Sequence, residues 1–244
     1  MRKVVIIALA VLSLTACNHK PVQVTGCTTE AISVDASTDA LQDADYLAVL
    51  APTKEALARE MDVQIGYLAD TFWVAQPECP MLNWASDALW EAAKKACPKK
   101  VDMAMVNIGG MRCEWLPGRI TRGQIYELMT FDNMLVVLTL KGSDVLDLCQ
   151  GFADRGGEGV AGLRMKAVDG RLAEVMIDGK AVRSNGLYTV ATSDYLMGGA
   201  DHMDALTRYV DCWKSDLIIR DLYLEAVEQT DTIHAVLDGR MTLL

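Results

Sequence analysis

The chain has 244 residues, 51% hydrophobic and 23% charged, a length and balance that suit one globular domain with its own core and exclude a disordered polymer. Its formal charge of −10 sets up a field that repels phosphate polymers, which argues against nucleic acid and anionic membrane surfaces as partners. A single nucleotide stays open, because one local Arg overrides a distant net charge.

Arg2 and Lys3 precede an apolar run, Val4 to Leu14, too short to span a membrane and right for a signal peptide. Leu14-Thr15-Ala16-Cys17 then matches a bacterial lipoprotein processing box. Removal of residues 1–16 and lipid attachment to the Cys17 sulfur are expected, anchoring the chain to a membrane. Asn18 at the next position suits the outer membrane, with either the periplasmic or the outer face as its side. Residues 17–51, rich in Thr, Ser, Asp, Ala and Gln, read as a tether, and residues 52–244 as the domain it carries.

Within that domain Thr53 to Met61 predicts a short helix and Ile65 to Val74 a strand. Met81 to Ala96 carries the best helical pattern, with Met81, Leu82, Ala85, Leu89, Ala92, Ala93 and Ala96 on one side and Pro98 as its stop. A buried strand follows over Asp102 to Val106. Thr121 predicts the cap of a helix reaching Leu128, and Met134 to Leu140 a second strand. Ser143 predicts the cap of a helix with Val145, Leu146, Leu148 and Cys149 inside, ending near Gly151. The glycine-rich Asp154 to Gly159 lacks the Lys-Ser/Thr ending of a P-loop and reads as a turn. Asp169-Gly170 predicts a hairpin between Ala161–Val168 and Leu172–Ile177, and Asp178-Gly179 repeats the signal. Leu187 to Thr192 predicts a strand, Ser215 a helix cap over Asp216 to Glu225, and Ile233 to Met241 a closing strand. The sum is a single mixed-sheet α/β domain of the α+β type, with flanking helices.

Cys27, Cys79, Cys97, Cys113, Cys149 and Cys212 remain beside Cys17. An exported chain oxidises such thiols, or buries them as small hydrophobes, and the spacing decides neither. No CxxC or Cys/His cluster appears, so no zinc site is expected.

The stretch richest in chemistry runs from Asp102 to Gly142. Its apolar strand breaks at Asn107-Ile108-Gly109-Gly110, where two glycines allow a tight turn or close approach to a ligand. Arg112 stands two residues beyond, and Phe131 opens the next strand. A planar five-donor guanidinium near exposed backbone amides, with an aromatic close by, suits a phosphate and a base.

The ordered motifs NIGGMR, TFDNML and DYLMGGAD resemble the C-terminal, substrate-binding domain of the 5'-nucleotidase family, which includes bacterial UDP-sugar hydrolases, over roughly residues 60 to 240. The resemblance implies that Arg112 binds a nucleotide's phosphate; a surface Arg paired to Glu114 is the alternative. It implies that Asn107 touches the base, where a simple turn former is the alternative. Gly109 and Gly110 are conformational on either reading. Phe131 and Tyr195 match two aromatics that sandwich the base, against ordinary core packing, and Asp201 matches a carboxylate that accepts ribose hydroxyls, against a helix cap. Two departures stand out. Ala200 and His202 replace common glycines, and Pro77 replaces a second phosphate-binding Arg, with Glu78 adding repulsion if it faces the site.

Family hydrolysis runs on a separate N-terminal metallophosphatase domain with two metal ions. This chain has only His19, His202 and His234, none in a D-x-H or G-N-H-[DE] setting, and no G-x-S-x-G, Ser/Lys box or H-E-x-x-H. No metal, cofactor or catalytic residue is therefore expected in it. Two readings follow: the nucleotide- or nucleoside-recognition subunit of a split periplasmic 5'-nucleotidase serving nucleotide catabolism, with divalent metals on a partner metallophosphatase chain; or a stand-alone nucleoside- or nucleotide-binding, or purely structural, lipoprotein.

Overall fold

The computed structural model describes residues 24–38 and 42–244; the leader and Cys17 lie outside the described residues. Backbone proximity divides the chain between Val49 and Leu50, and the unit Leu50–Leu244 carries every element discussed below apart from the first six residues of the helix Ala44–Met61. Among the described residues there are six helices and three sheets, a mixed α/β architecture as expected.

Helix α1 covers Ala44–Met61, longer than the predicted Thr53–Met61. Its start was missed because the cap is Asp43, whose Oδ1 accepts the amides of Asp45 and Tyr46 at 3.0 Å each. Strand β1 (Gln64–Leu68) is half the predicted length and pairs antiparallel with β3 (Gly118–Thr121). The rest of Ile65–Val74 is irregular, since beyond β1 only Phe72 finds a partner, a single bridge to Trp115.

The central sheet holds five strands in the order β10-β4-β9-β2-β5, formed by β2 (Met103–Val106), β4 (Met134–Lys141), β5 (Gly159–Ala161), β9 (Leu187–Ser193) and β10 (Asp211–Ile218). Its side chains alternate between two cores. Ala104, Val106, Leu135, Val137 and Ala191 enter the core under helices α2 (Pro80–Ala96) and α6 (Ile219–Glu228). Met103, Met105, Val136, Leu138 and Val190 enter the core under helix α4 (Gly142–Arg155). A sheet covered on both faces explains why MAMV and MLVVL read as near-continuous apolar runs.

Helix α2 begins with Cys79 as cap and Pro80 at its first turn, where the missing N–H costs nothing. It buries Met81, Leu82, Ala85, Leu89 and Ala93 of the predicted face, while Ala92 is half-buried and Ala96, in its last turn, is exposed. Helix α3 (Arg122–Leu128) follows Thr121, whose amide donates to Gln124 Oε1 at 2.7 Å in a capping box. The third sheet, β11-β6-β7-β8, contains both predicted hairpins, β6 (Leu163–Val168) with β7 (Arg171–Ile177) and β7 with β8 (Lys180–Ala181). Asp169 and Asp178 adopt φ of 50° and 53°, each followed by a left-handed Gly, as the two-residue turn demands.

Three boundaries differ from expectation. Helix α4 starts at Gly142 and runs on to Arg155, stopped by left-handed Gly156 rather than Gly151. Ser215 caps no helix: it lies inside β10, and its Oγ donates to Leu135 O at 2.8 Å, because pairing with β4 outweighs the local cap signal. Of Ile233–Met241, only Met241 joins a strand, β11 (Met241–Leu243), while Ile233 makes one bridge to Leu68. Before β11 the chain is occupied by an ion cluster, in which buried Arg240 forks onto Asp87 at 2.7 and 3.1 Å and also bonds Asp238.

All six described cysteines are free thiols, with Cys79, Cys97 and Cys149 buried and Cys27 exposed. Burial pushes the Cys149 thiol up to about 12, so almost no thiolate exists near neutrality. Alkylation of the native protein at pH 8, read by peptide mass spectrometry, is expected to modify Cys27 promptly and Cys149 only after denaturant is added. Native-state labelling of Cys149 would contradict this core.

Candidate functional site

Strand pairing assembles the site. β2 and β9 run parallel, with Met103 opposite Val190 and Ala104 opposite Ala191, so both strands end on the same edge of the sheet. β4 runs antiparallel to β9, with Leu135 opposite Ser193, so the start of β4 lies beside the end of β9. Asn107 follows β2, Tyr195 follows β9 in the short helix α5 (Asp194–Met197), and Phe131 precedes β4. Residues far apart in the chain meet at one edge by geometry alone.

They enclose a cavity of about 180 Å³ lined by Asn107, Gly110, Arg112, Phe131 and Tyr195, over an apolar floor of Leu89, Met105, Val106, Met129, Leu196 and Ile219. Phe131 and Tyr195 are 56% and 48% exposed, so neither is a core aromatic. The Arg112 guanidinium carbon stands 5.6 Å from the Phe131 ring centre, a cation–π distance. Glu114, the alternative partner of Arg112, turns its Oε1 to the Val74 amide at 3.1 Å instead.

Asp201 does not line the cavity but joins two residues that do. Its Oδ2 accepts Asn107 Nδ2 at 2.5 Å and its Oδ1 accepts the Tyr195 hydroxyl at 3.0 Å. A Cβ on Gly110 would stand 2.9 Å from Asn107 Oδ1, so a larger residue there would push the Asn107 amide from its place across the turn. Of the seven sequence-predicted residues, Asn107, Gly110, Arg112, Phe131 and Tyr195 line the cavity, Asp201 is joined to it through Asn107 and Tyr195, and Gly109 lies in the turn between Asn107 and Gly110. The hydrogen bond to Asp201, reinforced by its charge, raises the Tyr195 phenol above its usual range, with Arg112 opposing.

Of the two residues that stand where glycines are common, His202 takes a left-handed φ of 59°, next to Asp201 at 55°, so the turn is kept at some cost in strain, whereas Ala200 is not left-handed. Pro77 packs on left-handed Gly157, where an added Cβ would come within 2.5 Å of the Pro77 carbonyl oxygen. Glu78 faces away from the pocket: its Oε1 accepts Asn83 Nδ2 at 2.7 Å and the amides of Asp238 and Gly239 at 3.0 and 3.2 Å.

Other contributors escaped sequence reasoning. Asn133 and Ser193 also line the cavity. Asn133 stands inside the TFDNML motif, which could have flagged it. Asp194 Oδ1 accepts the amides of Met134 at 3.0 Å and Tyr195 at 2.9 Å, stapling the start of β4 to the start of α5. Buried Arg220 pairs with Asp132, donates to Met129 O at 3.4 Å and lies 4.2 Å from the Tyr126 ring centre, holding the loop that presents Phe131. No sequence signal marks that role. A larger groove of about 560 Å³ between α2 and α6 contains none of the predicted residues. Among the described residues no three or more His, Cys, Asp or Glu side chains come together as a potential metal site.

The fold and pocket define a layered α/β domain with an aromatic-walled, half-open cavity at a sheet edge. Residues 64–208, more than half of the chain, match the family 5'-nucleotidase, C-terminal domain, and the chain belongs to that family. It is 29% identical over 140 residues to a 5'-nucleotidase of Vibrio cholerae, covering 54% of this chain and 25% of that protein. It is 25% identical over 199 residues to a 5'-nucleotidase of Vibrio vulnificus, covering 79% of this chain and 35% of the relative. The crystal structure of a 5'-nucleotidase precursor from Thermus thermophilus superposes with a TM-score of 0.71 at 21% identity, over 82% of this chain and 42% of that one, which supports the fold. The chain spans well under half the length of each of these proteins.

The Tyr195–Asp201 bond is fully present below the ordinary tyrosine pKa and is lost as pH rises through the raised one. In an absorbance titration, with Tyr195→Phe as the subtraction, the Tyr195 inflection is expected above that of free tyrosine and is expected to move down in Asp201→Asn. An inflection that does not respond to Asp201→Asn would show that the two groups do not meet in solution.

Proposed function

We propose that this chain is the nucleotide- or nucleoside-recognition subunit of a split periplasmic 5'-nucleotidase, held to the outer membrane by lipid on Cys17. The observation that carries the reading is one cavity lined by both Phe131 and Tyr195, together with apolar side chains and with Arg112, whose guanidinium lies 5.6 Å from the Phe131 ring centre. A flat base between two rings gains stacking that is indifferent to base identity, about 1–3 kcal/mol per ring. Asp201 has lone pairs left for a ribose diol after accepting Asn107 and Tyr195. Arg112 steadies the phosphate by charge-assisted hydrogen bonds. Bond cleavage belongs to a metallophosphatase chain acting with this one, which supplies the divalent metals.

Pro77 in place of a second Arg leaves one guanidinium for the phosphate, which favours a weakly charged ligand and supports the alternative of a stand-alone nucleoside-binding lipoprotein. Calorimetry with AMP, adenosine and a UDP-sugar tests the pocket. Phe131→Ala is expected to weaken adenosine and AMP alike, by roughly tenfold or more, whereas Arg112→Gln weakens AMP alone. Added to a metallophosphatase lacking its own C-terminal domain, this chain is expected to lower the KM for nucleotides, and Phe131→Ala to remove that effect. Binding without any effect on the partner selects the stand-alone alternative. Failure of all three ligands to bind overturns both.

A further inference from the structure

Asn107, which lines the cavity, and Asp201, hydrogen-bonded to it, are supported from behind by two side chains that do not line the cavity. Glu158 is 5% exposed. Its Oε2 accepts the amide of Ile108 at 2.7 Å, the residue after Asn107 and the first of the turn Ile108–Gly110. Its Oε1 faces Arg155 Nε at 3.4 Å. The same guanidinium reaches the other arm of the site: Nη1 donates to His202 O at 3.3 Å and Nη2 lies 2.9 Å from Met203 Sδ, one and two residues past Asp201. Gln76 braces the intervening backbone, its Nε2 donating to the carbonyls of Arg155 and Gly157 at 2.9 and 2.8 Å.

We infer that Arg155 and Glu158 form a positioning clamp that holds Asn107 and Asp201 in register for a ribose diol, so that this pair sets the preference for ribonucleosides over sugars lacking the diol. The inference rests on the nucleoside reading of the pocket. A carboxylate accepts two hydroxyls well only if its direction is fixed from outside, and supporting contacts of this kind tune a site without touching its ligand. Asp201 needs such support, because it and His202 occupy left-handed conformations that the local turn does not favour. A buried carboxylate requires partners, and the partners that satisfy Glu158 are one arm's amide and the cation that grips the other arm. The aromatic walls hang on different anchors, Arg220 behind Phe131 and Asp194 at the foot of Tyr195. Sugar recognition and stacking on Phe131 are therefore separable by mutation, while Tyr195, whose hydroxyl donates to Asp201, touches both.

The test measures adenosine and 2',3'-dideoxyadenosine binding to the full chain by calorimetry, for Glu158→Gln, Arg155→Met and the double variant. Each single variant is expected to weaken adenosine about tenfold and to leave dideoxyadenosine within about twofold. The double variant is expected to do no worse than the weaker single, because both residues serve one clamp. Equal losses on the two ligands, no loss, or additive losses overturn the inference. Hydrogen exchange without ligand gives a second readout: Glu158→Gln is expected to speed exchange at the Met203 amide, and Arg155→Met at the Ile108 amide, although neither variant removes that amide's own acceptor except through the clamp. If the wild type binds neither nucleoside, the pocket reading fails by itself, and exchange still decides the clamp: reciprocal acceleration supports it and purely local acceleration overturns it.

Discussion

Strand β9 is the constraint on which the rest depends, because it pairs parallel with β2 on one side and antiparallel with β4 on the other. The two pairings have opposite consequences for direction. The parallel one puts the ends of β2 and β9 together, and the antiparallel one puts the start of β4 beside them. A slip of one residue in either ladder would turn Ala104, Val106 and Ala191 toward α4 and drive Met103, Met105 and Val190 under α2, which both cores forbid on volume. Burial on both faces thereby locks the register that places Asn107, Phe131 and Tyr195 at one edge.

What the edge presents is a division of labour between apolar and polar groups. Aliphatic and sulfur side chains from β2, α2, α5, α6 and the residue after α3 line the cavity together with the polar Asn107, Arg112, Asn133 and Ser193. The loops bearing the aromatics are not left to their own conformational preferences. Arg220 fastens the Phe131 loop through Asp132 and Met129, and Asp194 ties α5 to β4. Such anchoring limits the ordering cost when a ligand enters, which is where a small cavity would otherwise lose affinity. Glu78 and Pro77, which as sequence departures cast doubt on the phosphate end, serve packing: one closes the turn before β11 and the other seats Gly157. One guanidinium, Arg112, remains at the rim from the motif.

Local chemistry made several elements legible in advance. The Asp-Gly turns, the Thr121 capping box and the apolar face of α2 depend on residues within a few positions of one another, and each occurs where expected. Signals failed where a distant partner outweighed a near one. Ser215 is a good helix cap in isolation, yet the open edge of β4 recruits its strand. The segment after Ile233 is apolar enough for a strand, but the Arg240 cluster with Asp87 and Asp238 takes the chain out of the sheet until Met241.

By itself the sequence determined the class of fold and the family motifs, five of whose residues line the pocket, because glycine turns, alternating hydrophobicity and motif order are written in short windows. Only the tertiary structure decided that Glu114 leaves Arg112 alone, that Glu78 faces away from the pocket, and that Arg155, Glu158 and Arg220 stand behind it. The physical reason is that a charged side chain's role is set by whichever partner lies within hydrogen-bond reach and by how much water surrounds it. Neither quantity exists until strands separated by scores of residues have been brought into contact.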